Sequence, residues 1–159
     1  VKDILAIALD VDGVLTDGGV WWGPDAQEWK RFSYSDIMGV SMGMKAGLVF
    51  ALISGEDSPL VVRFAAKMGI NCVEKNCKDK GVALRRFSES TGIALSDIAY
   101  MGDDVNDLGA MKLAGLAATP CDAHPAAQLS AGFVASRAGG HGAVRELIDA
   151  VLAAKADDI

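Results

Sequence analysis

The stretch Ile4-Leu-Ala-Ile-Ala-Leu-Asp10-Val-Asp12-Gly-Val-Leu-Thr16 decides how the rest of the chain is read. A short unbroken apolar run is the pattern of a strand buried on both faces, and Asp12-Gly13 marks a turn at its end. The run therefore delivers Asp10 and Asp12 to the carboxyl edge of a sheet. Residues two apart on an extended segment point the same way, so two carboxylates converge over one spot. Like charges that close call for a cation.

Outward from that strand the pattern alternates. Further strands are expected at residues 48–53, 70–73, 98–101, 115–118 and 133–135. Helices are expected at residues 36–46, 80–90, 104–113, 123–129 and 143–155, with one more entered at Pro59 behind an Asp57 or Ser58 cap and stopped at Gly69. Residues 18–33 read as a hairpin, because Val20-Trp-Trp22 and residues 28–32 flank Gly23-Pro-Asp25. Alternating strands and helices imply parallel pairing with right-handed crossovers. The expected fold is α/β: a three-layer, Rossmann-like parallel sheet with a hairpin protrusion, whose ligands bind beyond the strands' carboxyl ends. No linker or repeat interrupts residues 1–159, so one domain is expected.

Composition narrows the function. At 159 residues, 51% hydrophobic and 23% charged, the chain supports one well-buried core and is not a disordered composition. Its apolar runs fall far short of the roughly 20 residues that span a bilayer. The 15 Lys and Arg are scattered against 21 Asp and Glu, a net charge of −6, which excludes the basic footprint of a nucleic-acid binder. Cys72, Cys77 and Cys121 form no Cys-x-x-Cys pair, and His124 and His141 stand alone, so a zinc cluster is not expected. The chain enters its first strand without a basic, apolar and cleavage-site series, and a cytoplasmic location is the expectation.

The chemistry-bearing residues gather at strand ends. Ser54-Gly55 follows one strand, Lys80 opens a helix, and Gly102-Asp103-Asp104-Val-Asn-Asp107 follows another strand. A hydroxyl and backbone N–H groups at a helix start can bind phosphate oxygens, and Lys80 can neutralise charge spreading over them. Asp103 or Asp104 adds a hard oxygen ligand to the Asp10 and Asp12 pair. Mg²⁺ suits a site of few carboxylates, waters and a substrate phosphate.

That ordered set resembles the haloacid dehalogenase-like (HAD) hydrolase superfamily, with Asp10-Val-Asp-Gly-Val-Leu-Thr16, Ser54, Lys80 and Gly102-Asp103-Asp104 as its four motifs. The resemblance implies Asp10 as the nucleophile that forms an aspartyl phosphate. It implies Asp12 as the acid that protonates the leaving alcohol and then as the base that activates water. Mg²⁺ would bind Asp10, the backbone carbonyl of Asp12, and Asp103, while Asp104 and Asp107 hold ligand waters or orient Lys80. About 18 residues lie between Asp17 and Asp36 and about 25 between Gly55 and Lys80, so neither usual insertion point has room for a cap domain.

Asp122-Ala-His-Pro125 and Arg137-Ala-Gly-Gly-His-Gly-Ala-Val-Arg-Glu146 extend the likeness to the capless phosphatases of 2-keto-3-deoxy sugar acid phosphates, which are homotetramers joined through their hairpins. Two substrates fit. Octulosonate phosphatases, on the lipopolysaccharide route, usually carry Arg where this chain has Glu56. Glu56 with Lys67 resembles instead the branch acting on nonulosonate (2-keto-3-deoxynononate or sialic acid) 9-phosphates, toward which the reading leans. Eleven residues are about 16 Å of helical rise, so the two share a helix stripe yet cannot grip one small sugar together, and Lys67 is expected to serve a neighbouring subunit's site.

Three rivals are weaker. A response-regulator receiver places its phosphoacceptor and Lys in a different order. A phosphomutase needs a cap to keep water from the aspartyl phosphate. A phosphatase-like domain kept only for tetramerisation would not need every catalytic position filled.

Overall fold

Six strands pair in parallel across the molecule, and the first of them lies at the centre. In the computed structural model, which describes residues 4–156, the strands of this sheet are β1 (Ala6–Leu9), β4 (Val49–Ile53), β5 (Cys72–Glu74), β6 (Ile98–Met101), β7 (Leu116–Thr119) and β8 (Phe133–Val134). Their order is β5-β4-β1-β6-β7-β8. The chain runs outward from β1 to one edge, then returns to build the other side. The crevice where that order reverses, beyond the carboxyl end of β1, is where an open α/β sheet binds its ligand.

Side-chain size divides the two faces. Ile7 and Leu9 belong to a core with Val40 of α1 (Tyr34–Lys45), Phe64 of α2 (Pro59–Met68) and Leu147 of α6 (Ala143–Ala156). Ala6 and Ala8 belong to the opposite core, with Leu84 of α3 (Lys80–Thr91), Met111 of α4 (Leu108–Leu113) and Ala127 of α5 (Pro125–Ser130). Ala8 pairs with Tyr100 in register, so the small residue stands beside a large polar-tipped side chain buried in that layer. The expected three-layer α/β architecture is present. Among the described residues no helix is long and apolar enough to cross a membrane.

The helix ends follow their capping chemistry. Helix α1 begins at Tyr34, two residues before the expected start, and Ser33 caps it by accepting from the Ser35 N–H. Of the two candidates for α2, Ser58 is the cap, and Gly69 ends that helix in the left-handed conformation. Such caps each contribute about 1 kcal/mol. The helix expected over 104–113 is broken: Val105–Asp107 forms a 3₁₀ turn before α4 begins at Leu108. Asp107 closes a capping box with Asp104 over that turn, its carboxylate accepting the Asp103 and Asp104 N–H groups.

The hairpin is present in reduced form. Its strands β2 (Trp21–Trp22) and β3 (Glu28–Trp29) are two residues each, with Trp21 opposite Trp29, and a single bridge ties Thr16 to Phe32 at its base. Trp21 and Trp22 stay 74% and 78% exposed. Two-residue strands are too short to hold a ribbon in water unaided.

Candidate active site

The register of the sheet assembles the site. Leu9 pairs with Leu52 and with Met101, so the residues that follow β1, β4 and β6 emerge side by side. A cavity of about 240 Å³ opens there, lined by Asp10, Asp12, Gly55, Glu56, Lys80 and Asp103 among others. The strand-end acids and the lysine foreseen from the sequence thus meet in one place.

Asp10 is 5% exposed and Lys80 2%. Lys80 Nζ lies 2.9 Å from Asp10 Oδ1 and 2.8 Å from Asp107 Oδ1. The Asp10 oxygen also accepts from the Val11 N–H at 2.8 Å. Burial, reinforced by Asp107, pushes the Asp10 carboxyl well up; Lys80 opposes that shift. Burial also works against the Lys80 charge, but Asp10 and Asp107 more than offset it, and its affinity for a proton is raised. The Asp103 carboxyl is pushed up to about 6, first by burial and then by Asp107. Three acids around one ammonium group leave an excess of negative charge, which a divalent cation would neutralise.

The donor set fits such a cation. One carboxylate oxygen from each of Asp10, Asp103 and Asp107 lies within 4.8 Å of the others. Asp107 is poorly placed to ligate directly, because both its oxygens are engaged. Oδ1 accepts from Lys80 Nζ and from the Tyr100 hydroxyl at 2.6 Å, and Oδ2 accepts from the Asp103 and Asp104 N–H groups at 3.0 and 3.1 Å. A carboxylate oxygen with two donors on it has little lone-pair capacity left. Asp10 and Asp103 are the direct candidates, and all-oxygen ligation favours Mg²⁺ over softer metals.

Gly13 makes the approach possible. Its φ is +81°, and a Cβ there would overlap the Asp103 carboxylate. Gly139 does the same for the backing loop, where a Cβ would overlap the Gly13 carbonyl. The Gly140 N–H donates to the Val14 carbonyl at 2.9 Å. Asp122 accepts from the Gly139 N–H at 2.9 Å, and the Asp103 carbonyl accepts from the His124 N–H at 2.8 Å. The segments 122–125 and 137–146 therefore buttress the first and fourth motifs rather than line the cavity.

Two expectations need correction. Ser54 was expected at a helix start, but α2 begins only at Pro59. Ser54 is fully buried in a turn, its hydroxyl oxygen accepting from the Glu56 N–H at 3.2 Å. Gly55 and Glu56, not Ser54, line the cavity. Glu56 likewise precedes α2, so it shares no helical stripe with Lys67. Lys67 lines a different cavity with Phe32, Phe64 and Arg63, away from the Asp10 carboxylate cluster.

Four residues escaped the sequence reading. Asn106 lines the cavity from the 3₁₀ turn. Tyr100 donates to Asp107 from inside the core. Asp36, 1% exposed on α1, accepts from the Gly142 and Arg145 N–H groups and so caps α6 across a long sequence separation. Lys30, from the hairpin, reaches Asp12 at 2.8 Å. Only Asn106 carried a local signal, its place inside Gly102-Asp-Asp-Val-Asn-Asp107.

Known proteins share this arrangement. Residues 61–147 match a family model described as haloacid dehalogenase-like hydrolase. The 3-deoxy-D-manno-octulosonate 8-phosphate phosphatase KdsC of Escherichia coli K12 is 36% identical over 97% of this chain and 82% of its own length. The phosphatase of the same name from Haemophilus influenzae is 34% identical over 97% of this chain and 86% of its own length. Among solved structures, the Moraxella catarrhalis octulosonate 8-phosphate phosphatase, in complex with magnesium, phosphate and a KDO molecule, superposes with a TM-score of 0.95. It is 33% identical, covering 98% of this chain and 90% of its own. The cobalt-bound Haemophilus influenzae enzyme gives 0.95 at 34% identity, over 98% and 91% of the two chains. A parallel sheet with its acids at the switch point, no cap over them among the described residues, and these likenesses along nearly the whole chain have one reading: the protein belongs to the haloacid dehalogenase-like hydrolase family, as a phosphoric monoester hydrolase of its sugar-acid phosphatase branch.

Proposed function

We propose that this enzyme removes the terminal phosphate of a 2-keto-3-deoxy sugar acid, and that the sugar acid is 3-deoxy-D-manno-octulosonate 8-phosphate. The observation that carries the reaction is the buried Asp10–Lys80–Asp107 chain beside Asp103 at the mouth of an uncapped cavity. The likeness to octulosonate phosphatases along nearly the whole chain supports the substrate and weighs against the nonulosonate reading that Glu56 suggested.

In this reading an Asp10 carboxylate oxygen attacks phosphorus and the bond from phosphorus to the sugar oxygen breaks. Asp12 gives its proton to the departing oxygen. A water then attacks the aspartyl phosphate while Asp12 takes a proton from it, releasing phosphate and restoring Asp10. Lys80 helps keep Asp10 ionised against its burial, and Asp107, gripped by Tyr100, fixes Lys80 in place. The Ser54–Glu56 turn lies where phosphate oxygens would rest. Mg²⁺, held by Asp10, Asp103 and the Asp12 carbonyl, would neutralise the phosphoryl oxygens during transfer.

Comparing kcat/KM for the octulosonate 8-phosphate and the nononate 9-phosphate tests the substrate. The octulosonate ester is expected to be preferred, and Glu56→Arg to widen that preference by about tenfold, the scale of one charge-assisted hydrogen bond. A preference for the nononate ester that Glu56→Arg reverses returns the assignment to the other branch.

The hairpin supports a homotetramer, within which residues 1–159 act as one domain per subunit. Trp21, Trp22 and Trp29 are 74%, 78% and 51% exposed on one short hairpin, the kind of apolar grouping that marks an interface. Sedimentation is expected to give a tetramer that Trp22→Asp dissociates; an unchanged mass for the variant removes the hairpin from the interface.

A further inference from the structure

Asp10 is fixed by a buried lysine and a backbone N–H, whereas Asp12 stands at the wet mouth with its side chain 29% exposed. An aspartate so placed is free to swing into solvent unless something holds it. Among the described residues its side-chain partner is Lys30, whose Nζ lies 2.8 Å from Asp12 Oδ1 while its own side chain is only 5% exposed. Lys30 is itself steered by Glu28, whose Oε1 lies 3.4 Å away. Glu28 is anchored in turn by the Ser58 hydroxyl at 3.0 Å and by the Trp22 indole N–H at 3.2 Å. The chain of contacts runs from the cap of α2 and the hairpin to the rim of the site.

Asp12, the residue that Lys30 holds, stands between two spaces. Asp12 and Glu56 line both the Asp10 cavity and a second one of about 320 Å³, walled by Val20, Trp22, Glu28 and Lys30. In the proposed reaction the phosphate goes to Asp10, which leaves the second space for the leaving group, and Asp12 lines both cavities. Burial works against the Lys30 charge, but Asp12 and Glu28 more than offset it, so the ammonium form persists.

We propose that Lys30 is a positioning residue for the leaving-group acid: the hairpin, through this lysine, holds the Asp12 carboxyl at the boundary between the two cavities, where it meets the departing oxygen. The proposal rests on the reading of Asp12 as that acid. A misplacement of about 1 Å in such a group costs on the order of 100-fold in rate.

The test uses phosphate monoesters that carry no carboxylate, so that recognition of a sugar acid does not enter. kcat/KM is measured on p-nitrophenyl phosphate and on simple alkyl phosphates for the wild-type enzyme, Lys30→Met, Asp12→Asn and the double variant. p-Nitrophenolate departs without a proton, whereas an alkoxide does not. Lys30→Met is expected to lose about 10- to 100-fold on the alkyl esters and less than about 3-fold on the aryl ester, and to add nothing in the Asp12→Asn background. Equal losses on both ester classes would mean that Lys30 merely supports the fold, and the proposal is overturned. A rise in KM with kcat unchanged would make Lys30 a binding residue and overturn the proposal as well. Asp12→Asn separates the two layers. If it is selective for alkyl esters while Lys30→Met is not, only the Lys30 link falls; if it shows no selectivity, the acid assignment fails and takes the link with it.

Discussion

Asp10→Asn is expected to lower phosphate release by on the order of 10⁴-fold or more while leaving the protein folded. An amide oxygen is a poor nucleophile toward phosphorus, and no neighbouring group replaces it: Asp107 has both oxygens engaged and Asp103 is a metal-ligand candidate. Folding survives because Asn keeps the shape and can still accept from Lys80 and the Val11 N–H, while the burial that pushes the Asp10 carboxyl up no longer acts on a charge. Phosphate assays on the metal-loaded enzyme, with an unfolding curve alongside, measure both halves. Wild-type turnover in this variant would end the aspartyl-phosphate reading.

Lys80→Met has the second large effect, and it separates stability from chemistry. Lys80 bridges Asp10 and Asp107 from a nearly fully buried position, its side chain 1% exposed. Removing one partner of a buried ion pair leaves the other charges uncompensated, at a cost of about 3–5 kcal/mol. The metal-free variant is therefore expected to unfold at markedly lower denaturant concentration, and Mg²⁺ to recover part of that loss by supplying positive charge to Asp10 and Asp103. Turnover stays low even with Mg²⁺, by on the order of 100-fold or more, because one preorganised charge is missing from the phosphate site. Denaturant midpoints with and without Mg²⁺, with kcat on the same preparations, give the answer. An unaltered midpoint without metal would show that the Asp10–Lys80–Asp107 chain contributes no net stability.

Both predictions concern residues visible in the linear chain, and the reason is local. The run before Asp10 is apolar at every position, so it must be a central strand, and a central strand delivers its last residues to the sheet's carboxyl edge. The same logic located Gly102-Asp103 after β6 and Lys80 at the start of α3, where it is the first helical residue behind the Asp79 cap. Ser54 follows the expected strand but does not open a helix. Its turn is stabilised by its own hydroxyl on the Glu56 N–H, and helix entry waits for the Ser58-Pro59 pair. The strand expected at 70–73 sits at Cys72–Glu74, because pairing of Ala51 with Cys72, not propensity, sets where the ladder begins.

From its residues alone the chain determined the α/β alternation and the gathering of Asp10, Asp12, Lys80 and Asp103 around one cavity. The alternation and the strand-end acids follow from periodicity and strand direction, which are properties of neighbours in sequence, while Lys80 is singled out by the order of the motifs that resemble the family's. Only the tertiary structure decided that Asp107 is saturated by Tyr100, Lys80 and two backbone donors, that Asp36 caps α6, and that Lys30 grips Asp12. Those contacts join segments whose meeting depends on how helices and a hairpin pack against the sheet, and the distances that give carboxylates and ammonium groups their chemistry arise only after that packing is complete.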